Sequence, residues 1–286
     1  MPDKPLRSPI TWFGGKGCFR RHLIPLIPEH TAYVEPYGGG ASLLLAKAPS
    51  PCETYNDLDR GLYEFFQVLS SPVAFQHFWL RVSVLPYSRE LYDECRDSWH
   101  GCRDQLERVW RWYVVARQSF SGCFGGSWGT SVSSCNCGMA ETASSWQSAL
   151  QTLPQIHRRL QRVQIECCDG RDCLKRYDGP GYLAYCDPPY VWRTRKSGRY
   201  NHEMTDQDHA DMVAILLRYS GAVILSGYKS DLYRPLEDAG WKRLDIPTCC
   251  TACGRTKATA AIRSQLKRTE SIWRNPECLK RKLMKS

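Results

Sequence analysis

The chain has 286 residues, 42% hydrophobic content, 15 cysteines and a formal net charge of +10. That length and apolar content suffice to bury a full core and exclude large-scale disorder, and no apolar run is long enough to span a bilayer. The start, Met1-Pro2-Asp3-Lys4-Pro5, lacks the apolar stretch of a signal peptide, so the expectation is a soluble cytoplasmic protein with reduced thiols, not a disulfide scaffold.

A short β-like run from Thr31 to Val34 leads through Glu35-Pro36-Tyr37-Gly38-Gly39-Gly40-Ala41-Ser42 into the helix-forming Leu43 to Lys47, which predicts a strand, a glycine turn and a helix. Glu53 to Tyr55 reads as a second strand, ending at Asn56-Asp57-Leu58-Asp59 before an amphipathic helix from Leu62 to Leu69. From Pro72 to Pro154 the character changes. Trp79, Trp99, Trp110, Trp112, Trp128 and Trp146 stand among charged residues at helical periodicity, interrupted by a Gly/Ser-rich segment from Ser119 to Ser134. This block reads as an insertion carrying a loop of functional length. Strands return at Val163-Gln164-Ile165 and at Tyr182 to Cys186. Thr205, with Asp208 at the capping-box position, opens a helix whose apolar side is Met212, Val213, Leu216 and Leu217. Ala222 to Leu225 is the next strand, and Trp241 to Ile246 and a segment ending near Trp273 predict edge strands. The expected architecture is a mostly parallel α/β sheet formed by residues 1–71 and 155–276, with a mostly helical insertion at 72–154 and a basic tail at 277–286.

The apolar run Gly181 to Cys186 ends in Asp187-Pro188-Pro189-Tyr190. Each proline lacks an N–H and fixes φ, so the strand stops abruptly and leaves a carboxylate and its neighbouring carbonyls facing a crevice at the carboxyl end of the strand. Gly38-Gly39-Gly40 allows close backbone approach to a ligand, and Asp57, seventeen residues after Gly40, is placed to take the two hydroxyls of a ribose. A helix N-cap is the alternative role for Asn56-Asp57. Basic residues concentrate directly after the tetrapeptide, at Arg193, Arg195, Lys196 and Arg199, and eight more lie from Arg263 onward, which suits a polyanionic partner. The cysteine clusters Cys135-Asn136-Cys137 and Cys249-Cys250-Thr251-Ala252-Cys253 do not repeat the paired spacing of a zinc ribbon, so no metal is expected. In the insertion, Arg117-Gln118-Ser119-Phe120-Ser121-Gly122 combines a guanine-type reader, an adenine-type reader and an aromatic wedge; capping and core filling by Arg117 and Phe120 is the alternative.

Trp12-Phe13-Gly14-Gly15-Lys16, Val34 to Gly40, Asn56-Asp57, Asp187 to Tyr190 and Ser226-Gly227-Tyr228 occur in the order seen in Dam-like, alpha-group DNA adenine-N6 methyltransferases, and the chain resembles that family from about Ile10 to Pro276. The resemblance implies a Rossmann-like S-adenosylmethionine-dependent methyltransferase sheet with an inserted target-recognition domain. It implies site-specific methylation of adenine N6 in double-stranded DNA, in a bacterial cell or a phage-infected host, with a cognate restriction endonuclease as a possible partner. Cytosine N4, an RNA adenine, or a catalytically silent DNA-binding protein are the rival readings. By the same resemblance Trp12, Lys16, Tyr37, Gly38, Gly40, Asp57, Asp169 and Asp187 enclose the cofactor, with Lys16 suited to its methionine carboxylate and Asp169 lying near its adenine, although Gly170 stands where the family often has an aromatic. Asp187 and the Pro188 carbonyl accept the N6 hydrogens and Tyr190 stacks on an extruded base. Arg117, Ser119, Phe120, Arg193, Arg195 and Lys196 are the expected DNA contacts.

Overall fold

The computed structural model describes residues 5–195, 201–249 and 267–284. In chain order its elements are α1 (Arg20–Leu23), β1 (Ala32–Glu35), α2 (Ser42–Ala46), β2 (Cys52–Asn56), α3 (Arg60–Ser70), α4 (Pro72–Ser83), α5 (Arg89–Ser98), α6 (Gln105–Gln118), β3 (Cys135–Asn136), β4 (Met139–Ala140), α7 (Glu141–Leu160), β5 (Val163–Glu166), α8 (Gly170–Arg176), β6 (Tyr182–Cys186), α9 (Asp206–Leu216), β7 (Ala222–Gly227), α10 (Arg234–Asp238), β8 (Lys242–Cys249), β9 (Lys267–Arg274) and α11 (Pro276–Lys280). They form two compact units, Met1–Ile24 with Gly38–Cys167 and Pro25–Tyr37 with Cys168–Ser286.

In the first unit β2 and β5 pair in parallel, with Glu53 beside Val163 and Asn56 beside Glu166. Helices α3 to α6 each start at a polar residue whose side chain accepts from the N–H three positions on: Asp59, Ser71, Ser88 and Asp104. Their apolar faces converge on an aromatic core in which Phe65 stacks on Tyr113 at 5.3 Å and Trp112 and Trp146 are fully buried. Gly61 is required there, because a Cβ would lie 2.3 Å from Trp112 Nε1. The buried Glu53 accepts from Lys47 at 2.6 Å and from Arg159 Nη2 at 2.8 Å, and Arg159 also donates to the Leu44 carbonyl, which pins β2 to α2 and α7. Burial opposes the Glu53 charge, but these hydrogen bonds outweigh it and hold the carboxyl below its ordinary range. The boundary expected at Pro154 falls inside α7, which continues to Leu160. Proline there removes one backbone bond, but Trp146, Leu150, Leu153, Ile156 and Leu160 are all buried on one side of the helix, and their burial outweighs a loss of about 3 kcal/mol.

In the second unit the strand order is β1-β6-β7-β9-β8. β1, β6 and β7 run parallel, with Val34 beside Ala184 and Ala184 beside Val223, and β9 is antiparallel to both β7 and β8. With β2–β5 also parallel, the α/β class expected from the alternation is the one observed. One expectation needs correction: of these two strands only β8 is an edge and β9 is an inner strand, since Ser271, Ile272 and Trp273 are buried while Lys242 and Leu244 are exposed. The capping box of Thr205 and Asp208 forms as predicted, and Met212, Val213 and Leu216 pack into the core with Val34, Cys186, Val223 and Leu225. Leu217 does not, being past the helix end and 42% exposed. Asn275 caps α11 and bonds both Gly221 O and Val223 N–H, fixing α11 on β7. Among the described residues no helix is long and apolar enough to cross a membrane.

Candidate active site

In the first unit the glycine turn is held by backbone and by one acid. Gly38 N–H donates to Asn56 O at 2.8 Å, and Tyr55 Oη donates to Gly39 O at 2.7 Å. Gly39 has φ +49°, the left-handed region, and its N–H donates to Asp57 Oδ2 at 2.8 Å. The other oxygen of Asp57 accepts from Asp59 N–H at 2.8 Å. The cap of α3 is therefore Asp59, and Asp57 braces the turn. An ionised carboxylate has acceptor capacity beyond two bonds, so Asp57 can still receive hydroxyls. A Cβ on Gly38 would stand 2.3 Å from the Tyr55 ring, and one on Gly40 2.8 Å from Ser8 Oγ and 3.5 Å from Trp12 Cβ. Trp12 is half-buried beside the turn, and Lys16, buried, donates to Gly14 O at 3.0 Å. A pocket of about 390 Å³ opens here, with Trp12, Gly15, Gly40 and Ser42 among its walls.

In the second unit β6 delivers Asp187-Pro188-Pro189-Tyr190 at its carboxyl end. Asp187 is partly exposed and Pro188 buried. Tyr190 Oη donates to Glu270 Oε2 on β9 at 2.6 Å, and its ring meets Tyr228 edge-on at 4.7 Å. At 4% exposure Tyr190 presents no open face, which corrects the expectation that it stacks on a base; the half-buried Tyr228 offers the more accessible ring. Behind the tetrapeptide, Tyr185 Oη lies 3.1 Å from Ser226 Oγ. Burial first, then the negative charge of Asp187 with Glu270 or Glu35, pushes the Tyr185 and Tyr190 phenols well above their ordinary value, so both remain protonated. Cys186 is fully buried in the core, and burial with the adjacent Asp187 raises its thiol, so it is not a nucleophile.

Asp169 is engaged within its own turn. Its Oδ1 accepts from Arg171 N–H and Nε at 2.8 and 2.9 Å, and its Oδ2 from Arg171 Nη2 at 2.7 Å. The Arg171 hydrogen bonds hold its carboxyl below the usual range, and both oxygens serve the start of α8. The absence of an aromatic after this acid has a physical explanation: a Cβ on Gly170 would lie 2.4 Å from the Tyr37 ring, so Tyr37 fills that space.

The expected DNA contacts separate into three groups. Phe120 is 57% exposed, lifted out by the left-handed Ser121 and Gly122, and does not fill a core. Arg117 donates to Ser145 O and Oγ at 2.8 and 2.9 Å. Ser119 is buried, donating to Val115 O at 2.7 Å and accepting from Gly125 N–H at 3.1 Å, and Gln118 is fully buried on Trp128 Nε1, so neither reads a base. Arg193 is exposed and pairs with Asp206 at 3.0 Å, whereas the Arg195 side chain is buried on Glu203 and Trp192, which removes it from the expected contacts. Lys196, Cys250 and Cys253 lie outside the described residues. Among the described residues no cluster of metal-ligating side chains occurs. Sequence reasoning missed Glu270, Tyr185 and Ser226 as supports of the tetrapeptide; an acid within the apolar pattern of a strand was the one signal for Glu270.

A family model for D12 class N6 adenine-specific DNA methyltransferases matches residues 12–244. No curated protein sequence matches the chain. Among solved structures, the rRNA methyltransferase aviRa from Streptomyces viridochromogenes is 13% identical and covers 91% of this chain and 83% of that chain, with a TM-score of 0.36. A likeness of that degree bears on neither fold nor function.

Proposed function

From the premise that the chain belongs to the D12 class of N6 adenine-specific DNA methyltransferases, we propose that it methylates one short sequence in double-stranded DNA and that Asp187 and the Pro188 carbonyl orient the accepting amine. Family membership establishes the reaction itself: a methyl group passes from S-adenosylmethionine to N6 of adenine in DNA. The cofactor supplies an electrophilic methyl on its sulfonium. Adenine N6 is a weak nucleophile because its lone pair is delocalised into the ring. Two acceptors, one on each N6 hydrogen, localise electron density on nitrogen and stabilise the positive charge that develops there. The observation that carries this reading is the carboxylate of Asp187 at a buried strand end, followed by two residues that have no N–H to engage it.

The remaining roles follow from chemistry. The first unit suits the donor: a side-chain-free turn at Gly38 to Gly40, an acid at Asp57 for ribose hydroxyls, the indole of Trp12, and the ammonium of Lys16 for a carboxylate. In the second unit Tyr190, anchored on Glu270, holds the tetrapeptide in shape. Phe120 serves as the wedge that helps extrude the target base, with Arg193 as a phosphate contact. The protein is placed in the cytoplasm, and a restriction endonuclease of the same specificity is the partner whose cleavage such methylation would block. Methylating a defined duplex library, digesting it to nucleosides and mapping modified positions on single molecules tests the reading. N6-methyladenine within one short sequence is the expected result; methylation without sequence preference, or in single strands alone, overturns it.

A further inference from the structure

The pocket beside the glycine turn has a second wall that the cofactor roles leave unused. Arg7, Arg20 and Arg117 all line it. Their hydrogen bonds go to neutral oxygens: Arg20 Nη1 to Leu6 O at 2.7 Å, and Arg117 to Thr11 Oγ1 and to Ser145. Among the described residues none of the three is paired with a carboxylate, and the Nε of Arg117 is buried with no partner. Elsewhere Arg108, Arg111, Arg159, Arg171 and Arg243 each rest on an acid. Burial, and then repulsion from Arg7, lowers the guanidinium of Arg20 from its ordinary value, so Arg7 and Arg20 stand close enough to repel each other. Such an arrangement is stabilised by an oxyanion supplied from outside.

We propose that Arg7, Arg20 and Arg117 form a phosphate site that grips the backbone of the substrate DNA next to the exposed Phe120. The proposal rests on the DNA methyltransferase reading and adds a site to it. An oxyanion here has two sources, a DNA phosphodiester or the methionine carboxylate of S-adenosylmethionine, since Trp12 and Gly40 share the walls. Two observations favour the phosphodiester. Arg117 belongs to the last turn of α6, three residues before the exposed Phe120, so DNA meeting that ring has its backbone within reach of this wall. The cations are also graded from the half-buried Arg20 and Arg117 to the exposed Arg7, which suits a polyanion running past the pocket mouth more than a single enclosed carboxylate.

The test compares wild-type protein with Arg7→Gln, Arg20→Gln and Arg20→Lys. Affinity for a fluorescent duplex is measured by anisotropy across a salt series, and S-adenosylmethionine affinity by equilibrium dialysis without DNA. Each glutamine variant is expected to reduce the slope of log affinity against log salt by about 1, Arg20→Lys to preserve the slope, and cofactor affinity to stay within about twofold. Unchanged salt slopes overturn the proposal, as does loss of cofactor affinity with the slope intact, which would assign the pocket to the carboxylate. Arg7→Gln, at an exposed position, gives the answer alone if Arg20→Gln does not fold. Methylation of the same duplex by wild-type protein separates the two failures: without it the DNA reading falls, and with it but no slope change only the phosphate site falls.

Discussion

At the end of β2, Asp57 commits both carboxylate oxygens to backbone, receiving Gly39 N–H and Asp59 N–H at 2.8 Å each. At the end of β6, Asp187 is followed by Pro188 and Pro189, neither of which has an N–H to give. The same side chain at the same kind of position thus meets backbone donors in one turn and prolines that have none in the other. The difference lies in the neighbours: an aspartate normally folds back onto the N–H two residues on, and proline at that place prevents it. One strand end is shaped by removing side chains, the other by removing donors.

Substituting Asp187 by Ala tests the sharper half of the contrast. Single-turnover methylation should fall at least ~100-fold while duplex affinity changes little, the pattern for losing an interaction made mainly in the transition state. A second effect, on stability and not on rate, concerns the core beneath the β6 end. His209 is fully buried against Tyr233, and burial lowers its ordinary value of 6.5 to about 4. The folded state therefore keeps it neutral, and its contribution is intact above pH 6.5 and lost as pH falls towards 4. Urea midpoints should drop by the equivalent of about 3 kcal/mol across that window, and His209→Gln should flatten the fall.

At the glycine end the effects are steric. Gly38→Ala drives a methyl into the Tyr55 ring and should lower stability by about 1–3 kcal/mol, read as a shift in thermal midpoint, with weaker S-adenosylmethionine binding. A thermal midpoint unchanged by that substitution would show that the turn tolerates side chains. The smallest expected effect is the most specific to the comparison. Pro189→Ala restores an N–H two residues after Asp187 and should slow methyl transfer roughly 2- to 10-fold, the equivalent of one ordinary hydrogen bond diverted to the backbone. If Pro189→Ala transfers methyl at the wild-type rate, the absence of donors is not what keeps the carboxylate available.

Much of this was legible in the residues. Strand and helix positions followed from periodicity and caps, and Thr205 with Asp208 forms the box its spacing announced. Asp187 to Tyr190 stand at the strand end where Tyr182 to Cys186 placed them. What escaped was every role set by a partner distant in the chain. Ser119 was expected as a DNA contact and Gln118 as a base reader in a flexible loop, yet Tyr92 and Trp128 bury them. Asp169 was expected near the cofactor, but its hold on Arg171, which reaches Asp208 of α9, was not foreseen.

The sequence by itself determined the chemistry on offer: an acid between an apolar strand and two prolines, a turn free of side chains, and the order of motifs that marks an adenine-N6 methyltransferase. The first two are local properties, set by φ restriction, missing donors and missing Cβ atoms, and each is encoded within a few residues. Only the tertiary structure decided which polar groups remain available. Glu270, eighty residues away, takes the hydroxyl of Tyr190; Tyr37 occupies the space above Gly170; and no acid comes to Arg7, Arg20 or Arg117 among the described residues. A side chain's charge is written in the chain, but whether another group neutralises it depends on packing, because the candidate partners are many and only the fold brings one of them within hydrogen-bond reach.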